Sequence, residues 1–494
     1  VRHRWFVLAV SIALAAVAAW RTWPGLSPPS FELDDLWVAS LVKHATLGQV
    51  FQLGTPAPLG FVALLDAVSA VAGLGDWQLQ SVAWVAYPVA IVGLIWLTLL
   101  VTDRPAAAFA TGALLAMDSE VAGFAVRVKQ YTLDLAVTVL LLLGTVGVMR
   151  APRRWWLLAA GSIVAMLVSL PSAFTGPLLV YLLLVDQCVK APAKWRGLLA
   201  RAVAYSAVVA AVAFGLVRRQ QTSNLIDYWA TLFVPRDVRQ IPAFLCSGPA
   251  WHFVATAFPE HARWIVLCLP LGVLTLVKHR QARVLGLFVG LFYIEMLVAN
   301  ALRLYPLGLK RLDTFAAPVA LLAFGAGIAW PLGRLQVTAD ICAALLVVAS
   351  VVTQTSSRVP VVALGDKAMV QQAVSQIRDS DGVVLFPYAN WAVAYYGSWP
   401  SEVVPVKEST NGFNVIPTRA HTLVLPEAWN GLSFRDHLEA VEGPLRPFLA
   451  AAPPRIVYVG REDTRVIDAI RRSGYAVVRS WWKSDAACVV MERR

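Results

Sequence analysis

Phe31-Glu32-Leu33-Asp34-Asp35-Leu36-Trp37 puts three carboxylates within four residues, just beyond an apolar run at Phe6–Trp20. Roughly 45 further residues pass before the next long apolar run opens at Ser81, a span too polar and too broken to stay in hydrocarbon. Ionised side chains are costly at a membrane exit, so the stretch reads as the start of an aqueous loop with a task. That reading fixes the direction of the first helix, and with it the side on which each later loop lies.

The totals agree with a chain that lives in a bilayer. Of 494 residues, 58% are hydrophobic, and the mean hydropathy is +0.63, well outside the soluble globular range. A crossing helix needs about 20 apolar residues. Runs approaching that length fall at Phe6–Trp20, Ser81–Val101, Ala106–Met117, Tyr131–Met149, Trp155–Leu170, Gly176–Val189, Leu198–Val217, Trp264–Val277, Val284–Leu302, Phe315–Trp330 and Ile341–Val352. The expectation is a polytopic α-helical membrane protein with about 11 transmembrane helices. Val1-Arg-His-Arg4 looks like the charged start of a signal peptide, but the residues around Ala15–Pro24 have weak cleavage character. The first run therefore reads as an uncleaved helix.

The net charge is +12. Its cations sit mostly in short loops, at Thr102–Pro105, Arg150–Arg154, Lys190–Arg201, Lys278–Arg283 and around Arg334. That distribution encodes orientation by the positive-inside rule and gives no reason to invoke nucleic acid as a partner. The loops that then face out are 21–80, Asp118–Gln130, Arg218–Arg263 and Arg303–Asp313, followed by the tail from about Ser356. Within loop 21–80, the apolar stretch Pro58–Leu74 carries Asp66. Making it cross would invert the basic loops, so it reads as a helix lying in the interface.

The chain divides on this reading into a membrane domain, 1–355, and an extracytoplasmic domain, 356–494. In the tail, helical patterns (Lys367–Arg378, Trp391–Gly397, Phe434–Ala451, Thr464–Ser473) alternate with apolar strand patterns (Gly382–Tyr388, Arg455–Gly460), and Tyr475–Trp482 with Ala486–Met491 closes as a hairpin. This is the pattern of a small α/β domain. It has no glycine-rich nucleotide loop, and the chain shows no internal repeat of the transporter kind. The five cysteines form no metal motif. Cys246 and Cys488 both fall in external segments, and a disulfide between them stays open.

Three external constellations carry chemistry. In the first, either Asp34 or Asp35 suits a helix N-cap. Two adjacent acids also suit a catalytic pair, one of them taking a proton from a hydroxyl. The second holds Asp118-Ser-Glu120 and Arg127-Val-Lys129-Gln-Tyr131-Thr-Leu-Asp134. A helix starting near Arg127 would align Arg127, Tyr131 and Asp134 on one face, and Asp134 at the membrane rim is a functional candidate because of its cost. A local ion pair between Asp134 and Arg127 or Lys129 is the plainer alternative. The third is Arg303-Leu-Tyr305-Pro-Leu-Gly-Leu-Lys310-Arg311-Leu-Asp313. Its cations lie outside against the charge rule. They either snorkel to headgroups or hold a phosphate, with Gly308 allowing close backbone approach. Trp251 and His252, with Asp227-Tyr-Trp229, add aromatic surface for a sugar or for membrane anchoring. Carboxylates and cations thus converge on one membrane face, an arrangement suited to a lipid-phosphate sugar donor.

Taken in order, these motifs resemble the GT-C superfamily of polyprenyl-phosphate-sugar-dependent glycosyltransferases, in the bacterial branch of protein O-mannosyltransferases and aminoarabinose transferases. Asp34-Asp35 is similar to that superfamily's acidic pair in the first external loop. Arg127–Asp134 is similar to a motif opening the fourth helix, Tyr305-Pro-Leu-Gly-x-Lys-Arg311 to one before a late helix, and Gly382–Tyr396 to the start of the external domain. The resemblance implies inverting, single-displacement transfer of a sugar to a hydroxyl on an acceptor glycan, lipid or protein, with Asp34 and Asp35 catalytic and Asp34 the base. It implies donor phosphate binding by Arg127, Lys129, Tyr131, Arg303, Tyr305, Lys310 and Arg311, supported by Asp134, Asp118, Glu120, Trp251 and His252. Asp118-x-Glu120 resembles the metal-binding acids of oligosaccharyltransferases, which leaves a divalent cation cofactor open, since this branch often works without one. An Ala/Val/Trp-rich chain opening on Val1 fits a high-GC bacterium, so the expected location is a bacterial cytoplasmic membrane, with donor and membrane lipids as partners. A lipid-sugar flippase or transporter, a polysaccharide ligase or polymerase, and an envelope scaffold are the competing readings. A transporter should carry ionisable groups within its helices, and apart from Asp134 and Glu295 these helices are nearly charge-free.

Overall fold

The computed structural model describes residues 2–494 except 27–30, 218–222, 259–265, 267, 333–366, 387–388, 398, 407–410, 419–420, 426–433, 452, 462–463 and 484–485. Its helices are α1 (Arg2–Thr22), α2 (Leu33–His44), α3 (Leu47–Leu53), α4 (Leu59–Ala72), α5 (Asp76–Thr102), α6 (Pro105–Met117), α7 (Ser119–Phe124), α8 (Tyr131–Arg150), α9 (Trp155–Val168), α10 (Ser172–Lys190) and α11 (Trp195–Val212). There follow α12 (Ser223–Tyr228), α13 (Ile241–Cys246), α14 (Pro249–Ala255), α15 (Leu269–Lys278), α16 (Arg283–Ala301), α17 (Lys310–Asp313) and α18 (Ala317–Leu332).

Every expected crossing up to Phe315–Trp330 overlaps a helix, Trp264–Val277 only from Leu269 on, while Ile341–Val352 lies outside the described residues. Seven helical spans among the described residues are long and apolar enough to cross a membrane, so the chain is a multi-pass membrane protein. Helices α6, α9 and α15 are shorter, at 13, 14 and 10 residues. The α5–α6 turn shows how such a short element is set. Asp103 takes a left-handed φ of 53° at the end of α5, and Pro105 opens α6 where a missing N–H costs nothing. Trp5, Trp20 and Trp23 stand exposed near the two ends of the first span, as interfacial anchors do.

Loop 21–80 folds as α2, α3 and α4. Helix α4 buries Phe61, Val62 and Leu65 and exposes Leu64 and Val71. The tail contains α19 (Lys367–Gln376), α20 (Ala389–Tyr396), α21 (Phe434–Ala450) and α22 (Thr464–Arg472) with strands β1 (Gly382–Leu385), β2 (Ser401–Pro405), β3 (Phe413–Pro417), β4 (His421–Val424), β5 (Arg455–Arg461), β6 (Tyr475–Lys483) and β7 (Ala486–Arg493). One sheet runs in the order β4-β1-β5-β7-β6. Strand β1 pairs in parallel with β4 and β5 and is buried throughout, as its continuous Gly-Val-Val-Leu demands. The expected β6–β7 hairpin is present. The separate β2–β3 hairpin and strand β4 were not foreseen. The boundary expected at 356 lies outside the described residues.

The first loop and the tail share one core. Phe31, Trp37 and Leu41 of the first loop pack in the same cluster as Trp391, Tyr395 and Phe413 of the tail. Polar bonds reinforce it. Ser40 Oγ donates to the Trp391 carbonyl at 2.9 Å. Lys43 Nζ donates to the carbonyls of Ala394, Tyr395 and Gly397 at 2.9, 2.7 and 2.9 Å. These are the orphan carbonyls at the C-terminal end of α20, where a cation is favoured. Cys246 is exposed and Cys488 is buried in β7, and both are free thiols, so the disulfide left open by the sequence does not form.

Candidate active site

Neither aspartate of the first loop caps α2. Glu32 holds the N-cap position without a side-chain cap bond, and Asp34 and Asp35 fall in the first turn, where the helix dipole favours negative charge. A step of about 100° per residue aims the two in different directions. Asp35 points inward, its side chain 3% exposed. Its Oδ1 accepts the Val128 backbone N–H at 2.8 Å, and its Oδ2 accepts Arg127 Nε at 2.6 Å. The same guanidinium meets Glu32 at 2.5 Å. Burial pushes the Asp35 carboxyl up, with Arg127 and Lys129 pulling back. Burial likewise raises Glu32 against the pull of Arg127.

Asp34 points the other way, its side chain 35% exposed and its Oδ2 2.9 Å from Arg311 Nη1. Burial disfavours its charge, but Lys129, Arg311 and Arg127 together outweigh that and hold its carboxyl below the usual range. It is an ionised carboxylate at neutral pH.

Asp34 borders a cavity of about 410 Å³ that also meets Lys129, Tyr131, Asp134, Tyr305 and Arg311. The remaining wall is largely apolar, from Leu170, Phe174, Phe214 and Leu225, and aromatic at Trp37, Tyr228, Trp229 and Trp391. Lys129 is buried, stands 3.9 Å from the Trp37 ring centroid, and makes no ion pair among the described residues. Burial is the main reason its ammonium is pulled down to about 8, against the pull of Asp34 and Asp35. Asp134 is buried with Oδ1 lacking a hydrogen-bond partner. Tyr305 donates to the Leu312 carbonyl at 2.7 Å, which fixes its ring in the wall.

Other expected residues stand behind this cavity or away from it. Residues 125–130 form turns and bends, and α8 starts only at Tyr131. The expected alignment therefore holds for Tyr131 and Asp134 but not for Arg127, which is drawn aside by Asp35 and Glu32; the local ion pair with Asp134 does not form either. Lys310 Nζ meets Asp118 at 2.7 Å and Glu120 at 3.5 Å. Asp118 also caps α7 through the N–H groups of Glu120 and Val121. A metal at Asp118 and Glu120 would compete with these bonds, and no group of three or more His, Cys, Asp or Glu gathers among the described residues. Among the described residues, both acids are already engaged by Lys310 or by the start of α7. Arg303 lies 5.9 Å from the Phe233 ring, and Trp251 and His252 sit on α14 outside the cavity wall. Gly308, at φ +95°, does permit a close approach, but to the Pro249 backbone, which a Cβ would meet at 2.5 Å.

Three residues of the site were not singled out by the sequence reading. Glu32 was legible only as a neighbour of the pair, Trp37 as an apolar helix position, and Asn411, on the cavity wall, carried no signal.

No family model and no curated protein matches this chain. Among solved structures, ArnT from Cupriavidus metallidurans bound to undecaprenyl phosphate aligns over 97% of both chains, with TM-score 0.54 and 15% identity. Its apo state gives 0.54, 13% identity and the same coverage. An oligosaccharyltransferase from Archaeoglobus fulgidus, in complex with Zn and sulfate, gives 0.48 and 12% identity over 92% of this chain and 68% of that one. The chain has the GT-C-like polytopic fold with a C-terminal α/β unit.

Proposed function

We propose that this protein is an inverting glycosyltransferase that moves a sugar from a polyprenyl-phosphate donor to an acceptor hydroxyl at the outer face of a cytoplasmic membrane. One observation carries the reading: an ionised Asp34 and a buried Lys129, without an ion-pair partner among the described residues, border the same largely apolar cavity. An apolar wall accepts an isoprenoid chain, and a desolvated cation is favourable only when an anion joins it. The likeness in fold to an ArnT structure holding undecaprenyl phosphate supports the same donor class.

In the proposed reaction the acceptor oxygen attacks the anomeric carbon as the bond from that carbon to the phosphate oxygen breaks. The hydroxyl proton passes to Asp34, and the bonding pair leaves with the polyprenyl phosphate. Lys129 and Arg311 offset the charge that grows on the departing phosphate. A phosphate monoester has a second pKa of about 6, so it leaves without a strong acid. Arg311 also restrains Asp34 in the rotamer that borders the cavity, and Asp35 with Glu32 anchors Arg127 and the turn that presents Lys129. Asp134, which borders the cavity, is placed to meet a sugar hydroxyl.

The test is transfer from a panel of radiolabelled polyprenyl-phosphate sugars by purified protein, wild type against Asp34→Asn. Transfer that collapses in the variant while donor binding persists supports the reading. Undiminished transfer by Asp34→Asn removes Asp34 as the base, and failure of every donor to bind favours the transporter or scaffold alternatives.

A further inference from the structure

A second recess lies in the membrane region, between α8 and α9. It encloses about 500 Å³, and its wall is apolar except at Arg154. Leu140, Leu157 and Val164 on its rim are exposed and face the hydrocarbon. The wall includes Gly147 and Gly161, and a Cβ built on either meets nothing within 4 Å. Among the described residues, nothing fills this groove.

Its length and its charged end point to one kind of occupant. From Val137 to Val148 the groove follows α8 for about 16 Å at 1.5 Å per residue, close to one leaflet of a core about 30 Å thick. Helix α8 begins at the Asp34 cavity, so the Arg154 end lies at the opposite membrane face. Two turns of one pattern lie at this end of the bundle. Arg150-Ala-Pro-Arg-Arg-Trp155 and Lys190-Ala-Pro-Ala-Lys-Trp195 each pass through a short 3-10 turn, with Ala151 at φ −133°, ψ 72° and Ala191 at φ −143°, ψ 70°. Arg201, on α11 beyond the second turn, lies 5.3 Å from the Trp155 ring. Lys190 is paired with Asp186 at 2.6 Å. Arg153, Arg154 and Lys194 have no acidic partner among the described residues. An apolar groove one leaflet long, ending in unpaired cations, complements a lipid whose headgroup carries a net negative charge. A second copy is a poor complement. Inserted in the same orientation, it would bring its own basic turns to the same face, cation against cation.

We propose that this groove is a binding site for an anionic phospholipid of the leaflet opposite the active site, with an acyl chain along α8 and α9 and the phosphate at Arg153 and Arg154. The experiment is native mass spectrometry of the full chain in detergent with dioleoyl phosphatidylglycerol or dioleoyl phosphatidylcholine, read together with the thermal midpoint. Wild type should retain the anionic lipid at least five-fold more than the zwitterionic one and gain thermal stability from it alone. Gly161→Leu, which fills the groove, and Arg154→Gln, which leaves it open, should each lose that preference, and Gly161→Ala should keep it. The lipid-free midpoints of the variants report folding separately. Equal retention of both lipids by wild type would overturn the site. So would an undiminished preference in both Gly161→Leu and Arg154→Gln, or a dimer that depends on Gly161 and that no lipid displaces.

Discussion

Asp118 and Asp34 each stand at the start of an extramembrane helix, each with a second acid close by and a cation of the 310–311 pair against it. Asp118 is the N-cap of α7. One of its oxygens accepts two backbone N–H groups at 3.1 Å, and the other meets Lys310 at 2.7 Å. Its bonding capacity is filled by the fold. Asp34 lies two residues past the N-cap of α2 and cannot reach that role, so one cation restrains it and its remaining face borders the cavity. The difference is one of position along a helix. A carboxylate at the cap satisfies backbone donors, while one inside the first turn keeps its charge and stays available to a ligand.

The widest separation between the two should appear in transfer rate. Asp34→Asn is expected to lower it by about 10²–10⁴-fold, the range lost with a general base, while Asp118→Asn changes it little. Comparable losses in both would erase the distinction. In wild type the acid limb of the rate profile should fall below the ordinary carboxylate range. Asp34 has a lowered pKa, so activity persists as pH falls and is lost only through that depressed value.

Arg127→Ala probes what holds the first cluster together. It strands Asp35, 3% exposed, and Glu32, 23% exposed, without their shared cation. A loss of about 3 kcal/mol is expected in detergent unfolding, with Arg127→Lys recovering part of it. An unchanged midpoint would show that Arg127 is not the clamp.

Lys129 sharpens the comparison from the cation side, because Lys310 already has carboxylate partners and Lys129 has none within ion-pairing distance among the described residues. Donor affinity in wild type should weaken about tenfold as pH rises through about 8, since the ammonium loses its proton there. In Lys129→Arg that decline should vanish, because a guanidinium stays charged. A wild-type affinity flat across this range would separate Lys129 from the phosphate. The smallest effect belongs to Asp118→Ala, about 1 kcal/mol of stability for a lost cap.

Some of this was readable along the chain. Hydropathy placed the described crossings, the basic turns gave an expected orientation, and the acid pair at Asp34-Asp35 marked the loop that borders the cavity. Helix phase misled where the chain was not helical. Arg127 was aligned with Tyr131 and Asp134 on a helix that starts four residues later. Lys310 and Arg311 read as equivalent cations, yet adjacent positions on α17 point one at Asp118 and the other at Asp34.

The sequence by itself determined what local physics sets: which segments hydrocarbon can hold, which end of the bundle carries the basic turns, and where helices and buried strands alternate in the tail. The tertiary structure alone decided which charges pair and which stay open to a ligand. Asp34 and Asp35 are chemically identical neighbours. Only the arrival of Arg127 and the Val128 N–H on one side, and of Arg311 on the other, makes one a buried anchor and the other a cavity-facing carboxylate. The same holds for the union of the first loop with the tail through Ser40, Lys43 and α20, contacts about 350 residues apart in the chain. Pairings at such separations depend on where the whole fold brings each side chain, and no window of neighbouring residues encodes that.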